Sequence, residues 1–308
     1  MFKNPFFKKG IFYNLAFCNR TEYMRIENCD KLLFQVIEAN TNKDNANWLL
    51  NKIDAIIANE STRDLYMTYS LIASKFKPGE SLVLELENEE LKQYLKLQNA
   101  SIAQLARIYL LIRILTASTG FFKDKVANII QIADTGELET FLKYLVLLPN
   151  AEDFSYVAVD ALRTNIASIF DAISAYNPYP TLYFDDQQWN QMFLKAAFMD
   201  RDLTTFNSID KKANKDLARI ISDYAHERWA AGREIDPHFW RPVSKYIQGV
   251  LVDDMQRLLQ SENTLENRAG ALCCYKATNE EAIKLLQQYP NLLQQLKENK
   301  LTWVTLKD

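Results

Sequence analysis

Apolar residues recur every three or four positions along most of this chain, a spacing that predicts a succession of amphipathic helices. Leu32, Leu33, Val36 and Ile37 mark one over 29–39, and Trp48, Leu49, Ile53, Ile56 and Ile57 mark another over 44–58. Ser61 is placed to cap a third, through Leu65, Tyr69, Ile72 and Ala73, with Pro78–Gly79 as its stop. Ser101 with Gln104 reads as a capping box opening the apolar run AQLARIYLLIRILTAS, which Gly120 ends. Shorter helices follow over 123–133 and 137–148, broken at Pro149, and then a long regular helix over 153–176. YNPYPTLYFD is the longest loop rich in proline and aromatic residues.

Asp185 with Gln188 caps the next helix, through Trp189, Phe193, Ala196 and Ala197. Asn214 caps another, whose buried face is Leu217, Ile220, Ile221, Tyr224 and Ala225, and Gly232 is placed to close it. Asp236–Pro237 gives a cap followed by a first-turn proline. Pro242 then predicts a kink that turns His238, Trp240 and Arg241 toward the preceding helix. A helix pair over 264–278 and 280–289 precedes the tail. Only SLVLELE and the terminal WVTL look extended. The fold class is therefore all-α, read as an irregular α-solenoid, a HEAT-like stack of helix hairpins, although no fixed period of about 34 to 47 residues recurs.

Composition narrows the picture. The 308 residues are 48 % hydrophobic and 24 % charged, with 7 Gly and 8 Pro, values of a helical globular chain. A net charge of −3 argues against a nucleic-acid footprint. Cys18, Cys29, Cys273 and Cys274 form no spaced metal set, and the adjacent pair is expected to pack as small hydrophobes in a reducing, cytoplasmic setting. No apolar run reaches the roughly 18 residues of a membrane span. Residues 1–24 carry Lys3, Lys8, Lys9 and Arg20 against Glu22 alone and read as a flexible basic extension, with Met24 as an alternative start. LAFC before Asn19 resembles a lipoprotein box only loosely. Residues 25–308 read as a single helical domain, because no Gly-rich or polar linker divides them.

The unusual chemistry gathers between Asn214 and Tyr246, which holds both histidines, two of the five tryptophans and four arginines. At about 100° per residue, Arg228 falls near the middle of the apolar face, with Trp229 on its flank and His226 roughly opposite. A guanidinium so placed needs a carboxylate, carbonyls or a ligand, and Asp200, Asp202 and Asp210 are the nearby acids. His226, facing away, is expected to carry no folding burden. His226 and His238 lie twelve positions apart without companion ligands, and HERW is not HExxH, so they read as caps or polar core residues before zinc ligands. Glu227 beside His226 is a candidate general base. Trp189, Trp229 and Trp240 read as core before aromatic cage. The candidate functional surface is thus His226, Glu227, Arg228, Trp229, His238, Trp240, Arg241 and Trp189.

DYAHERWAAGREIDPHFWRPV, preceded by DDQQWNQMFLKAAFMD and IDKKANKDLAR, resembles the EboA family over about residues 183–246. PHFW here stands where the family pattern has PELW. The resemblance implies a bacterial metabolite-traffic protein, encoded beside a UbiA-like membrane prenyltransferase and other proteins of the same system, which are its expected partners. Such a system moves a secondary-metabolite precursor toward the cell envelope. The first reading is a non-enzymatic scaffold or carrier, without cofactor, binding a partner or a hydrophobic metabolite, cytoplasmic or peripheral at the inner membrane. The alternative is a cryptic, metal-dependent enzyme acting on the same metabolite through His226, Glu227 and His238.

Overall fold

A computed structural model describes residues 26–77 and 82–306. The basic extension, Cys18, Met24 and the Pro78–Gly79 stop lie outside the described residues. Among the described residues every regular element is a helix, eighteen of them α-helices, and there is no strand. The described chain divides into two compact units, residues 26–184 and 185–306.

The first unit contains α1 (Cys29–Ala39), α2 (Lys43–Asn59), α3 (Thr62–Lys75), α4 (Glu89–Leu97) and α5 (Ile102–Ala117). After these come α6 (Thr119–Ala127), α7 (Ile129–Ile132), α8 (Thr135–Tyr144), α9 (Ser155–Ala161), α10 (Ala167–Ser174) and α11 (Tyr179–Tyr183). The centre is α5, apolar on every side, which packs against α1, α2, α3, α6 and α8. Its capping box forms as the sequence predicts: Ser101 Oγ accepts from the Gln104 amide, and Gln104 Oε1 from the Ser101 amide. A second capping box, Asp134 with Glu137, opens α8. Glu137 is also bound by buried Arg107, whose Nη2 lies 3.3 Å from Oε1, while Arg107 Nε donates to the Tyr69 carbonyl at 3.0 Å.

Several predicted bounds move. Gly120 does not end α5, which stops at Ala117 as Ser118 leaves helical geometry, and the glycine lies inside α6. The long helix over 153–176 is instead a 3-10 turn (Ala151–Phe154), α9 and α10. It breaks where Thr164 Oγ1 accepts the Ile166 amide at 3.0 Å, a local bond that competes with helix continuation. The proline- and aromatic-rich loop holds the short α11, opened by Pro178. SLVLELE, whose first residue is outside the described set, forms no strand over 82–87, and 302–305 is a turn closed by Thr302 and Thr305.

The second unit contains α12 (Asp186–Phe198), a 3-10 turn (Leu203–Thr205), α13 (Ile209–Lys212) and α14 (Lys215–Ala230). A 3-10 helix (Pro237–Lys245) follows, then α15 (Val250–Gln260), α16 (Thr264–Tyr275), α17 (Glu280–Gln287) and α18 (Pro290–Lys297). The 3-10 helix is the hub, packed against α13, α14 and α16. Its 3-10 turns run on through Pro242. Helices α15 and α16 approach closely at Gly270, where an added Cβ would stand 2.8 Å from Leu258 Cβ.

Candidate functional site

Asn214 seats α14: its Oδ1 accepts the Leu217 amide at 2.9 Å, and its side chain exchanges hydrogen bonds with Asn190 of α12. Leu217, Ala218, Ile221, Ser222 and Ala225 form the buried face. Gly232 closes the helix at φ 63°, a left-handed conformation that suits glycine. Asp236 then caps the 3-10 helix through the His238 amide at 2.8 Å.

Arg228 continues the buried stripe of α14, but in the last turn, where the face runs out into solvent. It is half-buried, and Nε and Nη2 both donate to the Glu234 carbonyl, at 3.0 and 2.6 Å. Asp200 and Asp202 border the same cleft of about 340 Å³, while Asp210 pairs elsewhere. The partner is thus a carbonyl six residues on, not a buried carboxylate, and the folding burden placed on Arg228 shrinks accordingly.

His226 differs more from expectation. Its ring is half exposed, yet Nε2 lies 2.6 Å from Oδ1 of Asp254 on α15, a carboxylate only 2 % exposed. The other oxygen, Oδ2, accepts from Ser222 Oγ at 2.6 Å. An ionised carboxylate only accepts, so Nε2 carries a hydrogen and donates it to Asp254. Among the described residues Nδ1 has no hydrogen-bond partner. His226 therefore ties α14 to α15, and Glu227 beside it is exposed.

The aromatic residues divide. Trp189 and Trp240 are buried core, as expected, with Trp189 stacked on Phe193 and Phe193 on Phe239. Trp229 is half-buried and stacks on Trp240 at 5.6 Å. Its ring centre lies 5.5 Å from that of His226, and 4.1 Å from the guanidinium carbon of Arg257 on α15. His238 uses both ring nitrogens, Nε2 at 3.2 Å from the Trp303 carbonyl and Nδ1 at 3.2 Å from Asp236. Arg241 binds Asp210 through Nε and Nη2, at 2.9 and 2.8 Å. Burial pushes the Asp210 carboxyl up, but the hydrogen bonds and charge of Arg241 outweigh it and hold the group below its usual value.

The structure thus brings His226 together with Trp229, and Trp229 with Trp240, whereas His238 and Arg241 face other elements. Among the described residues no group of three or more His, Cys, Asp or Glu side chains is placed to hold a metal ion. Sequence reasoning missed Asp254, Ser222 and Arg257. Asp254 was within reach of the pattern: with Leu251, Met255 and Leu258 it shares the buried face of α15, an acid on an apolar stripe.

A sequence profile described as metabolite traffic protein EboA matches residues 29–244. No curated protein and no solved structure matches the chain.

Proposed function

Since the chain belongs to the EboA family of metabolite traffic proteins, we propose that it acts as a non-enzymatic helical scaffold or carrier in a bacterial secondary-metabolite traffic system. It handles a precursor on its way to the cell envelope. Its partners are other proteins of that system, a UbiA-like membrane prenyltransferase among them, and its cargo is a hydrophobic metabolite. It works from the cytoplasmic side, peripheral at the inner membrane; no described helix is long and apolar enough to cross one.

The observation that carries this reading is how the stretch over about residues 183–246, which bears the family resemblance, spends its side chains. Trp189 and Trp240 fill the core, Arg241 holds Asp210, His238 holds the Trp303 carbonyl and Arg228 holds the Glu234 carbonyl. That is the chemistry of a rigid frame. Phe198, at the end of α12 inside the same stretch, is 74 % exposed and offers a partner an apolar contact. The enzymatic alternative draws on His226, whose imidazole Asp254 orients, and on the exposed Glu227 beside it; His238 has no nitrogen to spare. The test is co-isolation with the prenyltransferase from detergent-solubilised membranes, together with mass analysis of the metabolite after incubation with the purified chain. Co-isolation with unchanged metabolite mass is expected. Conversion of the metabolite by wild-type protein but not by His226→Gln would replace the scaffold with an enzyme.

A further inference from the structure

A cleft of about 530 Å³ in the second unit is bordered by Trp229, Asp253, Gln256, Arg257, Gln260 and Glu266. Arg257 is exposed, and among the described residues its guanidinium makes no hydrogen bond or ion pair. Partners are at hand. Asp253 stands four residues earlier on α15, the spacing of a helical ion pair, and is not engaged. Glu266 accepts instead from Ser261 Oγ at 2.6 Å. The cation lies against the Trp229 ring, and Trp229 lies on buried Trp240, so the guanidinium ends a stack rooted in the core. Its orientation is set before any ligand arrives, with its hydrogen-bond donors unspent.

The cleft's charges select what those donors can take. Two carboxylates, Asp253 and Glu266, stand against one guanidinium, so a bare oxyanion meets net repulsion. A molecule that also carries hydroxyl groups turns the same carboxylates into acceptors. The side-chain amides of Gln256 and Gln260 both donate and accept. The His226 ring, centred 5.5 Å from that of Trp229, stands close enough to report on what enters the cleft.

We propose that this cleft binds a small hydroxylated organic anion, with its oxyanion on the fork of Arg257 and its hydroxyls on Asp253 and Glu266. The proposal does not rest on the traffic reading and stands or falls with purified protein alone. The chain has two histidines, so histidine-labelled full-length protein gives two imidazole signals, told apart with His238→Gln. The probes are D-gluconate and glycerol 3-phosphate, which carry hydroxyls with a carboxylate or a phosphate, against acetate, inorganic phosphate and glycerol as single-function controls. Saturable movement of the His226 signal with gluconate, glycerol 3-phosphate or both is expected, the responding probe identifying the oxyanion, with the controls silent. Arg257→Gln and the charge-preserving Arg257→Lys should each weaken binding at least tenfold at unchanged melting temperature. Silence with both probes, an equal response to inorganic phosphate or acetate, or wild-type binding by Arg257→Gln would overturn the proposal.

Discussion

Removing the exposed histidine of the His226–Asp254 pair should cost more stability than removing its buried carboxylate. His226→Ala leaves Asp254, 2 % exposed, with Ser222 as its remaining side-chain donor. A hydrogen bond to a charged group contributes about 1.5–3 kcal/mol. The imidazole is 53 % exposed, so water reaches part of the vacated site, and the expected loss is about 2 kcal/mol. Asp254→Leu removes the charge together with its need for partners. Ser222 can turn its hydroxyl to the carbonyl one helical turn back, and the imidazole regains water, so the change should stay within about 1 kcal/mol. The two substitutions should couple by about 1–2 kcal/mol in a double-mutant cycle. Urea unfolding followed by tryptophan fluorescence reads this well, since Trp189, Trp229, Trp240 and Trp303 all belong to the second unit. His226→Ala within about 0.5 kcal/mol of wild type, or Asp254→Leu costing more than about 3 kcal/mol, would refute the reasoning.

Three further outcomes follow from other parts of the fold. Gly270→Ala gains about 1 kcal/mol of helix propensity but drives a Cβ to 2.8 Å from Leu258 Cβ; overpacking of about 1–3 kcal/mol should win, lowering the urea midpoint. Asp210, held low by Arg241, contributes stability that is fully present above its unfolded value of about 3.9 and is lost as pH falls through the lower folded value; Arg241→Gln should therefore flatten the acid limb of a stability-against-pH curve below about pH 4. Burial raises the thiols of Cys29 and Cys274 to about 12 and that of Cys273 higher still, so mass spectrometry should find these three unalkylated in native protein and modified once it unfolds.

Caps were the most legible features of the fold. Ser61, Ser101, Asp185, Asn214 and Asp236 all act as caps, because a side chain that accepts an amide two or three residues on is a local interaction. The break between α9 and α10 was not legible, since apolar spacing continues across Thr164 while its hydroxyl redirects the backbone. At the site, Trp189 and Trp240 follow from periodicity. The His226–Asp254 bond does not: it spans 28 positions and joins helices whose mutual placement only the packed core decides. Arg107 was hidden in the same way inside the apolar run of α5, its partner Glu137 being thirty positions on. For Arg228 the helical wheel gave the right stripe, but a wheel has no length and cannot show that the stripe ends in solvent.

The side-chain anchors of the second unit also bear on where a fragment of this protein can be cut. The family match stops at residue 244, yet four of the signature residues find their counterparts beyond it. His226 reaches Asp254, Trp229 carries Arg257, the Trp240 carbonyl accepts the Cys273 thiol, and His238 meets the Trp303 carbonyl. The recognisable length and the foldable length are therefore different. A chain cut at residue 244 would keep the residues that identify it and lose the ones that hold them, uncovering Trp240 and stranding His226.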